Sequence, residues 1–337
     1  MIFFDTTDAS AWSHESGLAR VSRRLSSELG DAAACVRWPG IPKGAGPSDW
    51  YLTPEIFSEA DRPGFTAFAE ARPFRLAAIY HDAIPIKHPA ITWPASVRRH
   101  PGYMKLLSRF DRVWAVSAAS RDELLGFWRW QGIGKTPQVD VLALGADGMG
   151  LPRPRVAAIP ATPPRLVSVG ILEPRKNQDV LLDAFEALQG EGIEFELHLV
   201  GRVNPHFGRA IKRRVGSIAA RLPGLAHHEN MGDRELAGLL GSARATAFAS
   251  IAEGCGLPQL ESLWMGVPCV CSDLPPLVEN AAGGGCAVVA GNSAASWADA
   301  LRQILTDDAF HGRLVSAALG RPLPTWAAAA ATLRGSL

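Results

Sequence analysis

Short apolar runs alternate along the chain with stretches whose apolar positions recur at helical spacing, the texture of a parallel α/β protein. In the first half, RLAAIYHD (75–82) and RVWAVSA (112–118) read as strands. LARVSRRLSSEL (18–29) reads as a helix, with Leu18, Val21, Leu25 and Leu29 on one face. From Gly145 the texture changes to GADGMGLPRPRVAAIPATPPRL, rich in glycine and proline and without helical period, as an interdomain linker would be. A second series follows it. Strands are predicted at PRLVSVGI (164–171), FELHLVGR (195–202), ATAFAS (245–250), PCVCSD (268–273) and CAVVAG after Gly285. Helices are predicted at QDVLLDAFEAL (178–188), at DRELAGLLGSA (233–243) with Asp233 as its cap, at PQLESLWMG (258–266), at SAASWADALRQIL (293–305) and in the alanine-rich tail from Thr325.

The expected fold class is therefore α/β, with two doubly wound Rossmann-like domains and a ligand cleft between them. The boundary is placed at 155/156, giving domains 1–155 and 156–337, with room for the last helix to pack back on the first domain. A length of 337 residues suits two ordinary domains. The 47% hydrophobic and 20% charged residues are those of a soluble globular protein, and the net charge of +1 supplies no bulk field to recruit nucleic acid. MIFFDTTDASAW lacks a basic n-region and carries Asp5 and Asp8, so it does not read as a signal peptide. No apolar window is long enough for a membrane span. Five cysteines without a CxxC pair argue against a disulfide framework or a zinc site, and Cys269 and Cys271 read as small apolar residues on a buried strand. The cytoplasm is the expected compartment.

Candidate chemistry falls at strand ends. In SIAEGCGLP, Gly254 and Gly256 permit close backbone approach, Pro258 suits a first helical turn, and the amides of Cys255, Gly256 and Leu257 would face an anion at a positive helix end. Glu253 sits at the strand mouth, and Glu261, one turn into the helix, could accept hydrogen bonds from a diol such as ribose. The alternative is an ordinary glycine–proline helix start with Glu261 in solvent. VGILEPRKNQDVLLDAF (169–185) sets Arg175 and Lys176 between a strand and a helix, where cations can neutralise a diphosphate; alone, they could be a solvated basic turn. His81 ends a strand in IYHDAIPIKHP, fit either for acid/base work or for a hydrogen bond inside its loop. HESGLARVSRRL adds a glycine turn before a basic helix.

EGCGLPQLE resembles the Glu-x7-Glu signature of retaining glycosyltransferases of the GT-B fold, family four. LEPRKN, LVGR, ELAGLLGSARATAFAS, GVPCVCSD, SGLARVSRRL, HDAIP and AVSAASRDELL extend the resemblance over nearly the whole chain. The resemblance implies an N-terminal acceptor-binding domain facing a C-terminal donor-binding domain across a cleft. It implies that Glu253 contacts the donor sugar, Glu261 the ribose, and Cys255, Gly256 and Leu257 the sugar and phosphates. Lys176 with Arg175 would neutralise the diphosphate, His81 would line the reaction centre, Gly17 would let the first domain approach the diphosphate, and the base would lie near Met231, Gly232 and Arg234. No cofactor and no metal are implied; a nucleotide-diphospho-sugar, GDP-mannose foremost, is the co-substrate. The chain departs from the family at Gly170-Ile171-Leu172, where an arginine is usual, at Ala19, and at Cys255, often aromatic in relatives.

The implied activity is transfer of a hexose, foremost mannose, to a glycan or lipid-linked glycan in surface polysaccharide (lipopolysaccharide) assembly, without nucleic acid. Trp12, Trp38, Trp50, Trp93, Trp114, Trp128 and Trp130 could offer sugar platforms, with core packing the better expectation for most. WPASVRRHPGYMKLLSRF (93–110) could touch anionic lipid on the inner face of the membrane, or be a solvated basic face. A nucleotide-sugar epimerase and a non-catalytic donor-binding subunit are the rivals. A dehydrogenase is disfavoured by the lack of a strand-linked GxGxxG.

Overall fold

The computed structural model describes residues 1–9, 16–41 and 45–337. Trp12 lies outside the described residues. The chain forms two compact units, one of residues 1–148 with 324–337 and one of residues 149–323. The division thus falls a few residues before the 155/156 boundary expected from composition, and the final helix belongs to the first unit.

The first unit holds strands β1 (Ile2–Asp5), β2 (Ala33–Val36), β3 (Trp50–Thr53), β4 (Arg75–Tyr80), β5 (Arg112–Ala115) and β6 (Gln138–Val141), all parallel in the order β2-β1-β3-β4-β5-β6. Strands β1 and β3 are buried at every residue, which is why they are continuous apolar runs rather than alternating ones. Helices α1 (Gly17–Leu29), α2 (Phe65–Ala71), α3 (Ile84–Lys87), α4 (Pro94–Leu107) and α5 (Ala118–Trp130) cover the sheet. Ser16 caps α1 and Ser117 caps α5, each hydroxyl accepting the amide three residues on.

The second unit holds β7 (Arg165–Val169), α6 (Gln178–Gly190), β8 (Glu196–Val200), α7 (Arg209–Ala219), β9 (Leu225–His228), α8 (Asp233–Gly241), β10 (Ala245–Phe248), α9 (Leu257–Trp264), β11 (Cys269–Ser272), α10 (Pro275–Ala281), β12 (Cys286–Val289), α11 (Ala294–Thr306) and α12 (Asp308–Gly320). Its strands are parallel in the order β12-β11-β10-β7-β8-β9. That is the doubly wound order in which chain direction across the sheet reverses between the first strand, β7, and the fourth, β10. Ligands of such sheets sit outside the carboxyl ends of the strands at this reversal. Leu181, Phe185, Leu188, Leu197, Ile211 and Trp297 are among the buried residues of its core.

The first unit closes with α13 (Trp326–Ser336), capped by Thr325. It packs on α1, and its Trp326 is fully buried, with the backbone N–H donating to Asp147 Oδ1 at 2.9 Å. Gly145 makes room for it, because a Cβ there would stand 2.3 Å from the Trp326 nitrogen. Among the described residues no helix is long and apolar enough to cross a membrane.

One helix start is corrected. Asp233 is the first residue of α8, not its cap; the cap position is Gly232, whose N–H donates to Glu235 Oε2 at 2.9 Å. The glutamate at the third helical position reaches back to satisfy the N–H of the cap residue, the half of a capping box that a glycine cap leaves possible. Of the tryptophans, Trp50, Trp114 and Trp128 are buried and Trp38 packs on Phe65 and Phe68, while Trp93 and Trp130 are exposed.

Candidate functional site

The loops after β7 and β10 meet at the reversal point of the second sheet. The first runs through a single 3-10 turn, Pro174–Lys176, to Asn177, whose φ of 50° is left-handed. The second carries Ser250 to Gly256. They are stitched by the Ile251 N–H, which donates to the Arg175 carbonyl at 2.9 Å, and by Asn177 Nδ2, which donates to the Ala249 carbonyl at 3.2 Å.

This stitching brings three of the expected residues together. Lys176 Nζ donates to Glu253 Oε1 at 2.5 Å, the Ser250 hydroxyl donates to the same oxygen at 2.6 Å, and Arg175 Nη1 reaches Glu253 Oε2 at 3.3 Å. Arg175 also pairs with Glu173 at 2.8 Å, and Asn204 Nδ2 donates to the other Glu173 oxygen at 2.9 Å. The side chains of Lys176 and Arg175 are 13% and 22% exposed, so the solvated basic turn is ruled out.

Two cations and two carboxylates therefore share one half-buried network. Burial opposes ionisation of Glu253, but the Lys176 and Arg175 charges outweigh it and hold the carboxyl at about 2. For Lys176, burial wins over Glu253 and pulls the ammonium below its ordinary value, with Arg175 adding repulsion. The pair is attractive, yet its two members do not gain equally.

The backbone supports this placement. A Cβ on Gly170 would stand 3.2 Å from Lys176 Cε, so the lysine stem lies along the end of β7, and a Cβ on Gly201 would stand 2.3 Å from the Gly170 carbonyl.

Gly256 is left-handed at φ 82° and opens α9; a Cβ there would meet Leu277 Cδ2 at 2.5 Å. Asn280 Nδ2 donates to the Cys255 carbonyl at 2.7 Å and so holds the loop from behind. Burial pushes the Cys255 thiol up to about 12, which leaves it neutral. Leu257 is buried at the first turn, and Glu261 is 4% exposed, so it is not a solvated helix residue. Met231 packs against the cluster that includes Val167, Val200 and Leu236, immediately before the Gly232 cap.

Gly17 and His81 belong to the first unit. Gly17 is the first residue of α1, and a Cβ there would meet nothing within 4 Å. His81 is buried, and its Nε2 lies 2.7 Å from the Pro54 carbonyl. A carbonyl only accepts, so Nε2 carries the proton, and burial lowers the imidazole below its ordinary value. Beside Pro54, the Glu55 carboxylate accepts the amides of Asp8 and Ala9 at 2.8 Å each, and the buried Arg62 pairs with Glu55 and Asp5. Burial and the Asp5 charge push Glu55 up to about 7.

Sequence reasoning missed Glu173, Ser250, Asn204 and Asn280, which hold the expected residues in place, and the Asp5–Arg62–Glu55 cluster. Ser250 and Glu173 stood within quoted motifs; the others carry no spacing signal.

Residues 163–307 match the family model described as Glycosyl transferases group 1. The chain is 28% identical over 253 residues to a serotype-specific mannosyltransferase, WbdA, of Escherichia coli, a match that covers 68% of this chain and 29% of that protein. The chain thus spans under a third of the length of the curated relative it matches. Among solved structures it is similar to sucrose-phosphate synthase from Thermosynechococcus elongatus, with a TM-score of 0.73, 17% identity, and coverage of 98% of this chain and 96% of that one. It is also similar to the UDP-forming alpha,alpha-trehalose-phosphate synthase from Burkholderia vietnamiensis, with a TM-score of 0.63, 14% identity, and coverage of 87% and 73%. The two α/β units, each on a six-stranded parallel sheet, match these structures in fold, as the GT-B resemblance implies.

Proposed function

We propose that this chain, whose residues 163–307 carry a glycosyl transferases group 1 domain, is a retaining hexosyltransferase acting on a nucleotide-diphospho-sugar. The observation that carries this reading is the Arg175–Lys176–Glu253 network at the reversal point of the second sheet, beside the glycine-opened helix α9. Cations at this place suit a diphosphate, and a carboxylate in contact with them suits the hydroxyls of the attached sugar.

Cleavage of the bond between sugar and diphosphate builds positive charge on the ring and negative charge on the leaving group. Lys176, Arg175 and the amides of Cys255, Gly256 and Leu257 are assigned to the leaving group, where preorganised donors are typically worth about 3–4 kcal/mol each. This assignment supplies the charge without calling on a metal. Glu253 orients the Lys176 ammonium before the donor arrives and turns to the sugar hydroxyls in the complex. Glu261 is assigned to the ribose and Met231 and Gly232 to the base, while the resemblance assigns His81 and Gly17 of the first unit their roles towards the reaction centre and the diphosphate. Attack from the face of the departing diphosphate, assisted by that group, retains the anomeric configuration.

The similarity to a mannosyltransferase supports mannose as the sugar and GDP-mannose as the donor, with a glycan or lipid-linked glycan of surface polysaccharide as acceptor. Arg98, Lys105 and Arg109 are exposed on and just beyond α4, as a peripheral contact with anionic lipid on the inner membrane face requires. A thermal-shift screen against GDP, UDP and dTDP and their sugars tests the reading, because a ligand that binds the native state alone raises the midpoint. A rise with one nucleotide family, and loss of transfer in Glu253→Ala and Lys176→Ala with the fold intact, is expected. A flat response throughout, or near-normal turnover in both variants, sinks it.

A further inference from the structure

Cys269, Cys271 and Cys286 form a cluster that the donor site does not use. Their sulfurs all lie within 4.8 Å of one another. Cys269 and Cys271 stand two apart on β11 and so project to one side of the sheet. Cys286 is the register partner of Cys269 on the parallel strand β12. Adjacent strands and a two-residue step thus gather three thiols without any loop excursion. Cys269 and Cys271 are fully buried, and Cys286 is half-buried.

Polar groups from outside the two strands converge on the cluster. Gln259 Nε2 donates towards Cys271 Sγ and Cys286 Sγ, at 3.4 Å each, and to the Leu277 carbonyl at 3.0 Å. The Arg321 guanidinium is fixed near by the carbonyls of Asn280 and Gly284 at 2.7 and 2.8 Å, and adds positive charge.

The donor set restricts the ion. Thiolates select soft cations. With metal–sulfur bonds of about 2.3 Å, three sulfurs in a trigonal plane stand about 4.0 Å apart, within the span observed. Among the described residues no fourth cysteine, histidine, aspartate or glutamate joins the group, so the four-coordinate protein site usual for structural zinc is not built.

We propose that Cys269, Cys271 and Cys286 form a buried three-thiolate site for monovalent copper. Binding is proton exchange without redox change: three sulfur–copper bonds form, each protonated thiol releases its proton to solvent, and the ion enters and remains Cu+. The Gln259 amide is its outer support. Gln259 Oε1 accepts from Asn280 at 3.1 Å, and Asn280 in turn holds the Cys255 carbonyl, so the site stands directly behind the loop that opens α9. The proposal rests on this geometry and not on the transferase reading.

The test is anaerobic titration of the reduced, metal-stripped full chain with Cu+ held by a coloured competing chelator, followed by X-ray absorption at the copper edge. One Cu+ per chain surrounded by three sulfurs is expected. Cys286→Ala should take none, Gln259→Leu should bind roughly 10–100-fold more weakly as outer-support changes do, and Cys35→Ser, altered at an exposed thiol outside the cluster, should bind as the parent does. Failure of the parent chain to draw copper from the chelator, fewer than three sulfur neighbours, or undiminished binding by Cys286→Ala overturns the proposal and leaves the cysteines as small core residues. Should Cys286→Ala not fold, the sulfur count on the parent protein decides.

Discussion

Replacing Lys176 with methionine removes the 2.5 Å partner of Glu253 while keeping most of the stem that covers Gly170. The carboxyl is held at about 2 against an ordinary value of 4.5, which at 1.36 kcal/mol per unit is roughly 3 kcal/mol of favourable surroundings. Lys176 supplies the largest attraction, while Arg175 at 3.3 Å and the Ser250 hydroxyl at 2.6 Å remain after its loss. The variant also escapes the burial penalty that lowers Lys176 itself. A net loss of about 1–2 kcal/mol follows, below the 3–5 kcal/mol of a fully broken buried pair. Urea unfolding of the parent, Lys176→Met, Glu253→Gln and the double variant closes the cycle, with an interaction energy of about 1–2 kcal/mol expected. A depressed carboxyl makes the native state bind fewer protons than the unfolded chain between pH 4.5 and about 2, so its stabilisation is present above that window and lost as pH falls through it. Lys176→Met should flatten this dependence. Effects additive within about 0.5 kcal/mol, or an unchanged acid limb, would refute the reasoning.

Other outcomes follow from the same geometry. Glu253→Gln removes the charge that resists the burial of Lys176, so the ammonium should lose its proton at lower pH than in the parent, and the alkaline fall in nucleotide affinity, followed by calorimetry, should move to lower pH. Gly256→Ala meets both a left-handed φ of 82° and Leu277 Cδ2 at 2.5 Å. It should cost about 1–3 kcal/mol in unfolding experiments and weaken nucleotide-sugar binding, whereas Gly17→Ala, with open space at its Cβ, should leave the unfolding midpoint in place.

Legibility followed burial. Strands such as β4 and β10, covered on both faces, are apolar runs, and their ends could be read because strand-end motifs follow directly. The edge strands β6, QVDV, and β9, LAHH, carry polar residues where one side lacks a neighbour, so they dissolve into the loops on inspection. Lys176 and Glu253 could each be proposed from local motifs. Their ion pair could not, since it depends on β10 lying beside β7, an adjacency created by the reversal of strand order. Asn204 is hidden because it follows β8, and Glu173, though inside LEPRKN, shows its role only with Asn204 and Arg175 beside it. The two halves of the thiol cluster sit on different strands, and the cysteines of β11 were legible only as core residues. The buried neighbour of His81 is a carbonyl, which leaves no trace in residue identity.

The central claim is that Arg175 and Lys176 at the reversal point of the second sheet receive a diphosphate. Calorimetric affinities for GDP against GMP, UDP against UMP and dTDP against dTMP, measured on the parent chain and on Lys176→Met, test it most directly. The account predicts that one diphosphate binds at least about tenfold more tightly than its monophosphate, about 1.4 kcal/mol, and that Lys176→Met erases most of that difference. Equal affinity for the members of every pair in the parent chain, or a preference that survives in Lys176→Met, would contradict it.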